Sequence, residues 1–226
     1  MAHDPFEDIN WDTGIADQVD TGFELDLNGP LRRLAHVYRF SSIQTTRKEN
    51  VAEHSYFVTL YCLVLGRMIN GIVERAGRST SVPVDMEKLL TRAVVHDLDE
   101  GLTGDFIRTV KYYSEATKEA LDTVAGVMMN EIETMTFEGI KQVWEDARDG
   151  SLEGDILAVV DLAVVSTYAV EEVNMGNHYM VKILREVSGY LREKIGLHPV
   201  LDWFIDTVTE DASEVLAGPL ATPAHV

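Results

Sequence analysis

Apolar residues recur at spacings of three and four along most of this chain, and the alternation of a half-buried strand is nearly absent. Pro30 suits a first helical turn, and Leu31, Leu34, Ala35 and Tyr38 follow at helical spacing. Asn50, with Glu53 three residues on, is close to a capping box and opens a helix from Val51 to about Ile72. That segment is mostly apolar, through Phe57, Val58, Leu60, Leu63, Val64 and Met68, which predicts burial on most faces. Residues 71–83 are rich in Gly, Ser and Thr and read as a loop. Asp85 caps a third helix, carrying Met86, Leu89, Leu90, Ala93 and Val94 and ending near His96. Gly101, Thr103 and Gly104 then break regularity. Further helices are predicted over 114–133, 137–148, 154–173, 178–195 and 198–216, with breaks at Gly176, Asn177, Gly196 and Pro199. The predicted class is all-α, several helices around one core.

The length, 226 residues, suits one domain. Residues 1–28 contain no Lys or Arg and read as a solvated acidic leader, with Trp11 and Phe23 as its possible anchors. Residues 29–217 make the helical domain and 218–226 a tail. The charge changes the picture: 19 basic against 38 acidic residues leave a net −19. So acidic a surface repels a nucleic acid polymer or an anionic membrane, so neither is expected as a partner. Cys62 stands alone, which excludes an intramolecular disulfide and fits a reducing compartment. The first residues lack the basic and apolar regions of a secretory signal, and no apolar run approaches the ~20 residues a spanning helix needs. A cytoplasmic protein is expected.

Asp161 carries the first chemical signal. It interrupts the most apolar run of the chain, Ile156 to Val165, where an unpaired carboxylate would cost several kcal/mol. It needs a cation, a metal, or a proton. His96 and Asp97 are adjacent at the end of a predicted helix, and His54 lies in the first turn of another. Each alone is commonplace. Two histidines and two aspartates drawn from separate helical segments make a mixed nitrogen and oxygen site suited to a divalent transition metal. Around them stand groups suited to phosphate chemistry: Glu100 and Asp105 as acids, and Arg39, Arg47 and Lys111 as cations.

The order His54, His96-Asp97, Asp161 resembles that of the HD-domain metal-dependent phosphohydrolases. Arg39-Phe40, then Thr46 to Ser55, then His96 to Asp105, then Val110 to Tyr113, resemble the 5'-deoxynucleotidase branch, the YfbR-like group. Glu171-Glu172 with Gly176-Asn177 resembles a late motif of the same branch. The likeness covers about residues 30–195.

It implies a helical bundle around a buried mononuclear metal site, with His54, His96, Asp97 and Asp161 as ligands of one cobalt, manganese or zinc ion. It implies Glu100 as the carboxylate that organises the attacking water and Asp105 as a second catalytic or sugar-contacting acid. Arg39 would meet the nucleotide phosphate or sugar, and Lys111 the phosphate. Phe40 departs from the branch, which carries Trp there to exclude the 2'-hydroxyl, so a strict deoxyribose preference is not implied. Few cations stand near the motifs beyond Arg47, Lys48, Arg108 and Lys111, which favours a deoxynucleoside monophosphate as substrate. Two alternatives share these residues: a deoxynucleoside triphosphate triphosphohydrolase, as in some phage relatives, and a non-catalytic metal-binding protein. The likeness also implies a homo-oligomer, most often a dimer, for which the last helices, with Trp203 and Phe204, offer apolar surface.

Overall fold

The computed structural model describes residues 28–76 and 82–219. The expected leader up to residue 27, with Trp11 and Phe23, and the tail beyond Pro219 lie outside the described residues. The first helix, α1 (Pro30–Arg33), continues into one 3-10 turn, Leu34–His36. It stops short of Tyr38, which instead forms an antiparallel bridge with Asn50. No strand appears among the described residues.

Helix α2 (Val51–Ala76) begins as predicted: Asn50 Oδ1 accepts the Glu53 N–H at 2.9 Å. It runs four residues past the expected end. Burial on most faces is not what the structure has. Val51, His54, Val58, Cys62, Leu65, Ile69 and Val73 point inward, while Tyr56, Leu60, Leu63, Val64 and Ile72 are exposed on the other side. A helix apolar all round gives no signal of which face turns inward, so periodicity could not show this.

Helix α3 (Met86–Val95) is capped by Asp85, which accepts from the Lys88 N–H at 3.1 Å. Where irregular chain was expected, two single-turn helices form, α4 (Glu100–Thr103) and α5 (Arg108–Lys111). Gly101 lets α4 approach α1 closely, because a Cβ there would lie 2.5 Å from the Pro30 carbonyl oxygen. Helix α6 (Glu115–Thr134) starts at its Ser114 cap. The segment expected over 137–148 is a short α7 (Ile140–Glu145) and a 3-10 turn, Asp146–Arg148. Helices α8 (Leu152–Asn174), α9 (Met180–Arg192) and α10 (Pro199–Ala217) complete the fold.

Helix α8 is the axis of the molecule, packing against α2, α3, α9 and α10. One apolar cluster joins α2, α3, α8 and α10, with Cys62 fully buried inside it. A second lies between α8, α9 and α10. A third, including Leu34, Val51, Leu98, Met129 and Ile132, braces the start of α2 and the end of α3. Buried Arg92 ties α3 to the turn before α8, donating to both Asp149 oxygens at 3.0 and 2.8 Å. These contacts hold the first turn of α2, the end of α3 and the middle of α8 at one place.

Candidate metal centre

His54, His96 and Asp161 meet there: one donor atom of each lies within 4.8 Å of the others. His54 Nε2 is 3.0 Å from Asp161 Oδ1, and the two imidazole centroids are 5.5 Å apart. Asp97 completes the group, its Oδ2 being 3.1 Å from His96 Nε2 and 3.8 Å from His54 Nε2. Both histidines are buried, whereas the Asp161 side chain is 34% exposed. Its neighbours Val159, Val160, Ala163 and Val164 are all buried, so Asp161 lies on the narrow partly open stripe of this stretch of α8.

His96 Nδ1 lies 2.8 Å from the Ala93 carbonyl oxygen. A proton donated there leaves Nε2 with its lone pair toward the carboxylates. That nitrogen is buried and has no hydrogen-bond partner. Burial, with Arg39 nearby, holds His54 down to about 4, so its ring is neutral as a ligand requires. Burial also works against a charged His96, but Asp97 overrides it and pushes His96 up to about 9. Burial disfavours the Asp97 anion too, yet His96 holds its carboxyl well below the usual range. Partial desolvation works against the Asp161 anion as well, yet the hydrogen bond from His54 brings it down to about 2. Two anionic carboxylates facing two imidazoles call for positive charge, which either a second proton on His96 or a bound cation supplies. A divalent cation meets that need, and the donor set fits one.

Arg39 borders this group. Its guanidinium lies in the field of Asp97, Asp161, Glu49 and Glu100, and its Nη1 is buried without a partner. Phe40 takes a left-handed backbone, φ +56°, and its ring stacks on Tyr168 at 5.2 Å between centroids. Burial raises the pKa of Asp105, although Arg39 and the nearby Phe40 N–H oppose the rise. Glu100 opens α4. Burial, then the charges of Asp97 and Asp105, push it up to about 10. Glu100 and Lys111 share with His96 and Asp97 a cleft of about 270 Å³. Arg39, Phe40, His54, His96, Asp97, Glu100, Asp105, Lys111 and Asp161 thus lie in one region.

Three of the other expected cations are engaged elsewhere. Arg47 pairs with Glu53 and Glu171 and covers Tyr168; Lys48 covers Tyr38; Arg108 lies over Tyr112 and Tyr190. In their place the cleft gains Lys118 and Arg148. Sequence reasoning missed Glu49, Tyr168 and the task of Glu172. Glu172 did carry a signal, since it closes the same apolar helix as Asp161 and is fully buried.

A helical fold that brings a His-Asp pair, a second histidine and a distant aspartate together is that of the HD-domain phosphohydrolases. The chain is similar to an HD-domain phosphohydrolase from Listeria innocua, with a TM-score of 0.67 and 25% identity over 85% of this chain and 89% of that one. More narrowly, the chain belongs to the 5'-deoxynucleotidase YfbR-like family, whose model matches residues 27–212. It is a hydrolase. A 5'-deoxynucleotidase of Klebsiella pneumoniae is 25% identical over 152 residues, 66% of this chain and 73% of that protein. One of Vibrio vulnificus is 23% identical over 181 residues, 78% and 89% of the two chains. The fold is also that of a cyanophage S-2L HD phosphohydrolase bound to dA and one catalytic Zn2+ ion, with a TM-score of 0.55 and 17% identity over 83% of this chain and 99% of that one.

Proposed function

We propose that this chain is a metal-dependent 5'-deoxynucleotidase that converts a deoxynucleoside monophosphate to nucleoside and phosphate. The observation that carries the reading is the convergence of His54, His96, Asp97 and Asp161 beside Arg39, whose Nη1 is buried without a partner, in a chain of this family. Those four residues would hold one cobalt, manganese or zinc ion. Such an ion, when bound, acidifies water and polarises a phosphoryl oxygen. Arg39 and Lys111 bind the phosphoryl oxygens and balance their charge. With the charge of such an ion and of Arg39 beside it, Glu100 would be held as the anion, and it takes a proton from the attacking water as the water oxygen bonds to phosphorus. The bond from phosphorus to the 5' oxygen breaks, and Asp105 supplies that oxygen with a proton. Phe40, backed by Tyr168, walls the sugar.

The charge of the cleft supports a monophosphate. Lys111, Lys118 and Arg148 are outnumbered there by Asp97, Asp99, Glu100, Asp122 and Glu145, a poor setting for two further phosphates. The triphosphohydrolase reading draws on Lys118 and Arg148, which stand where a longer phosphate chain could run. The single, buried cysteine supports a cytoplasmic location.

A homodimer is part of the same reading, with its surface on α2. Tyr56, Leu60, Leu63, Val64 and Met68 are exposed at spacings of three and four, the register in which two copies of one helix interleave. The last helices fit this role less well, as Trp203 is exposed but Phe204 packs on the core.

The decisive assay incubates the protein with each ribo- and deoxynucleotide, as mono- and triphosphate, with and without cobalt. Phosphate release from deoxynucleoside monophosphates, lost in Asp97→Ala, is expected. Triphosphate release would favour the alternative, and full activity in Asp97→Ala would overturn the enzyme reading.

A further inference from the structure

The segment that carries Arg39 and Phe40 is a closed loop. Its neck is tied twice: Arg39 N–H donates to the Glu49 carbonyl at 3.0 Å, and Val51 N–H to the Val37 carbonyl at 2.9 Å. The Tyr38–Asn50 bridge lies between these bonds. Nine residues, 40–48, remain outside the neck. Loops of this size ordinarily explore many conformations unless something fixes them.

The far side of the loop is fixed by residues more than a hundred positions away. The Glu172 carboxylate is fully buried at the end of α8 and accepts the Thr46 N–H and the Arg47 N–H, each at 2.7 Å. Asn177, in the following turn, donates to Glu172 at 2.6 Å and to the Gln44 carbonyl at 2.8 Å. The Tyr168 hydroxyl donates to the Arg47 carbonyl, while the ring of Tyr168 stacks on Phe40. One carboxylate thus satisfies two successive loop amides, an anion-like mode of capture that no neutral side chain reproduces.

This docking has a purpose at the near side of the loop. Phe40 sits in the left-handed region that a bulky residue avoids. Such a conformation persists only where its surroundings over-determine it. The Tyr168 stack, the nearby Asp105 and the anchored loop do so here. The same conformation fixes where Arg39, one residue earlier, presents its unpartnered Nη1.

We propose that Glu172, Asn177 and Tyr168 are positioning residues that clamp the 40–48 loop, and so hold Arg39 and Phe40 in the geometry that receives the nucleotide. The inference rests on the proposed contact of Arg39 with substrate. The clamp touches neither the reacting atoms nor the four candidate metal ligands. Its loss therefore acts on nucleotide capture and leaves metal uptake alone. Glu172→Gln puts an amide donor against one of the two loop amides. Tyr168→Phe removes one hydroxyl and keeps the stack, so it guards against a Glu172→Gln protein that fails to fold.

The test measures KM and kcat for dAMP, cobalt bound per chain, and melting temperature for Glu172→Gln, Tyr168→Phe, Arg39→Ala and the double variants. Glu172→Gln is expected to raise KM about tenfold or more, with kcat and cobalt uptake little changed, and Tyr168→Phe to raise it less. In the Arg39→Ala background both effects on KM should be clearly smaller, because the part of the clamp that acts through Arg39 is gone and only the part through Phe40 remains. Wild-type KM in both single variants overturns the clamp. So do effects that add in full to that of Arg39→Ala, or a loss of cobalt uptake parallel to the loss of activity. An Arg39→Ala protein with unchanged KM refutes instead the substrate contact on which the inference stands.

Discussion

Glu49 is buried, its Oε2 has no hydrogen-bond partner, and Arg39 Nε stands 3.8 Å away. Burial pushes its carboxyl up to about 7 from an ordinary 4.5, although Arg39 opposes the shift. Between those values the folded chain keeps a proton that the unfolded chain has released. Stability from this group is therefore full at low pH and falls as pH rises through the window, by about 3 kcal/mol in all. Glu49→Gln removes the slope. Urea unfolding of metal-free protein at pH 4 and pH 8 should show the variant gaining about 3 kcal/mol on the wild type between the two conditions. Equal pH dependence of the two proteins would refute this. Asp161 and Glu49 also mark what a sequence reveals of single residues. Asp161 stood out because its neighbours are apolar. Glu49 lies among Thr46, Arg47, Lys48 and Asn50, where an acid is ordinary, and only the fold buries it.

At the scale of the element, local signals were legible and distant ones were not. The caps at Asn50, Asp85 and Ser114 each depend on a side chain and an amide three residues on, so they could be read along the chain. The one-turn helices α4 and α5 have no periodicity of their own and are held by packing. The clamp on the 40–48 loop pairs residues about 125 positions apart, which spacing cannot disclose. The α4 turn bearing Glu100 rests on Gly101, whose neighbour is rigid backbone, the Pro30 carbonyl. Gly101→Ala must therefore move α4 away from α1. It should cost about 1–3 kcal/mol by thermal or urea unfolding and lower kcat through Glu100. A variant of unchanged stability would show that the two turns yield easily.

For the whole molecule, helix α8 organises the fold, and both Asp161 and Glu172 stand on it, so the candidate metal centre and the loop clamp share one rigid support. The helical class and the gathering of the His and Asp residues were legible because each sits on a strongly patterned segment. The face proposed to meet a second copy was not, since α2 is apolar on both its faces. Leu60→Glu places a charge on the outer face of α2. Sedimentation should show a dimer for the wild type and a monomer of unchanged helicity for the variant. A monomeric wild type would remove the dimer from the reading.

Cys62 is the chain's lone cysteine, wholly buried on the inner face of α2, and burial pushes its thiol above the ordinary range. It is thereby a built-in stopwatch. A colorimetric thiol reagent meets sulfur only when the bundle opens, so the rate of colour development counts openings directly. No label, tag or engineered probe is needed to time how often this enzyme comes apart.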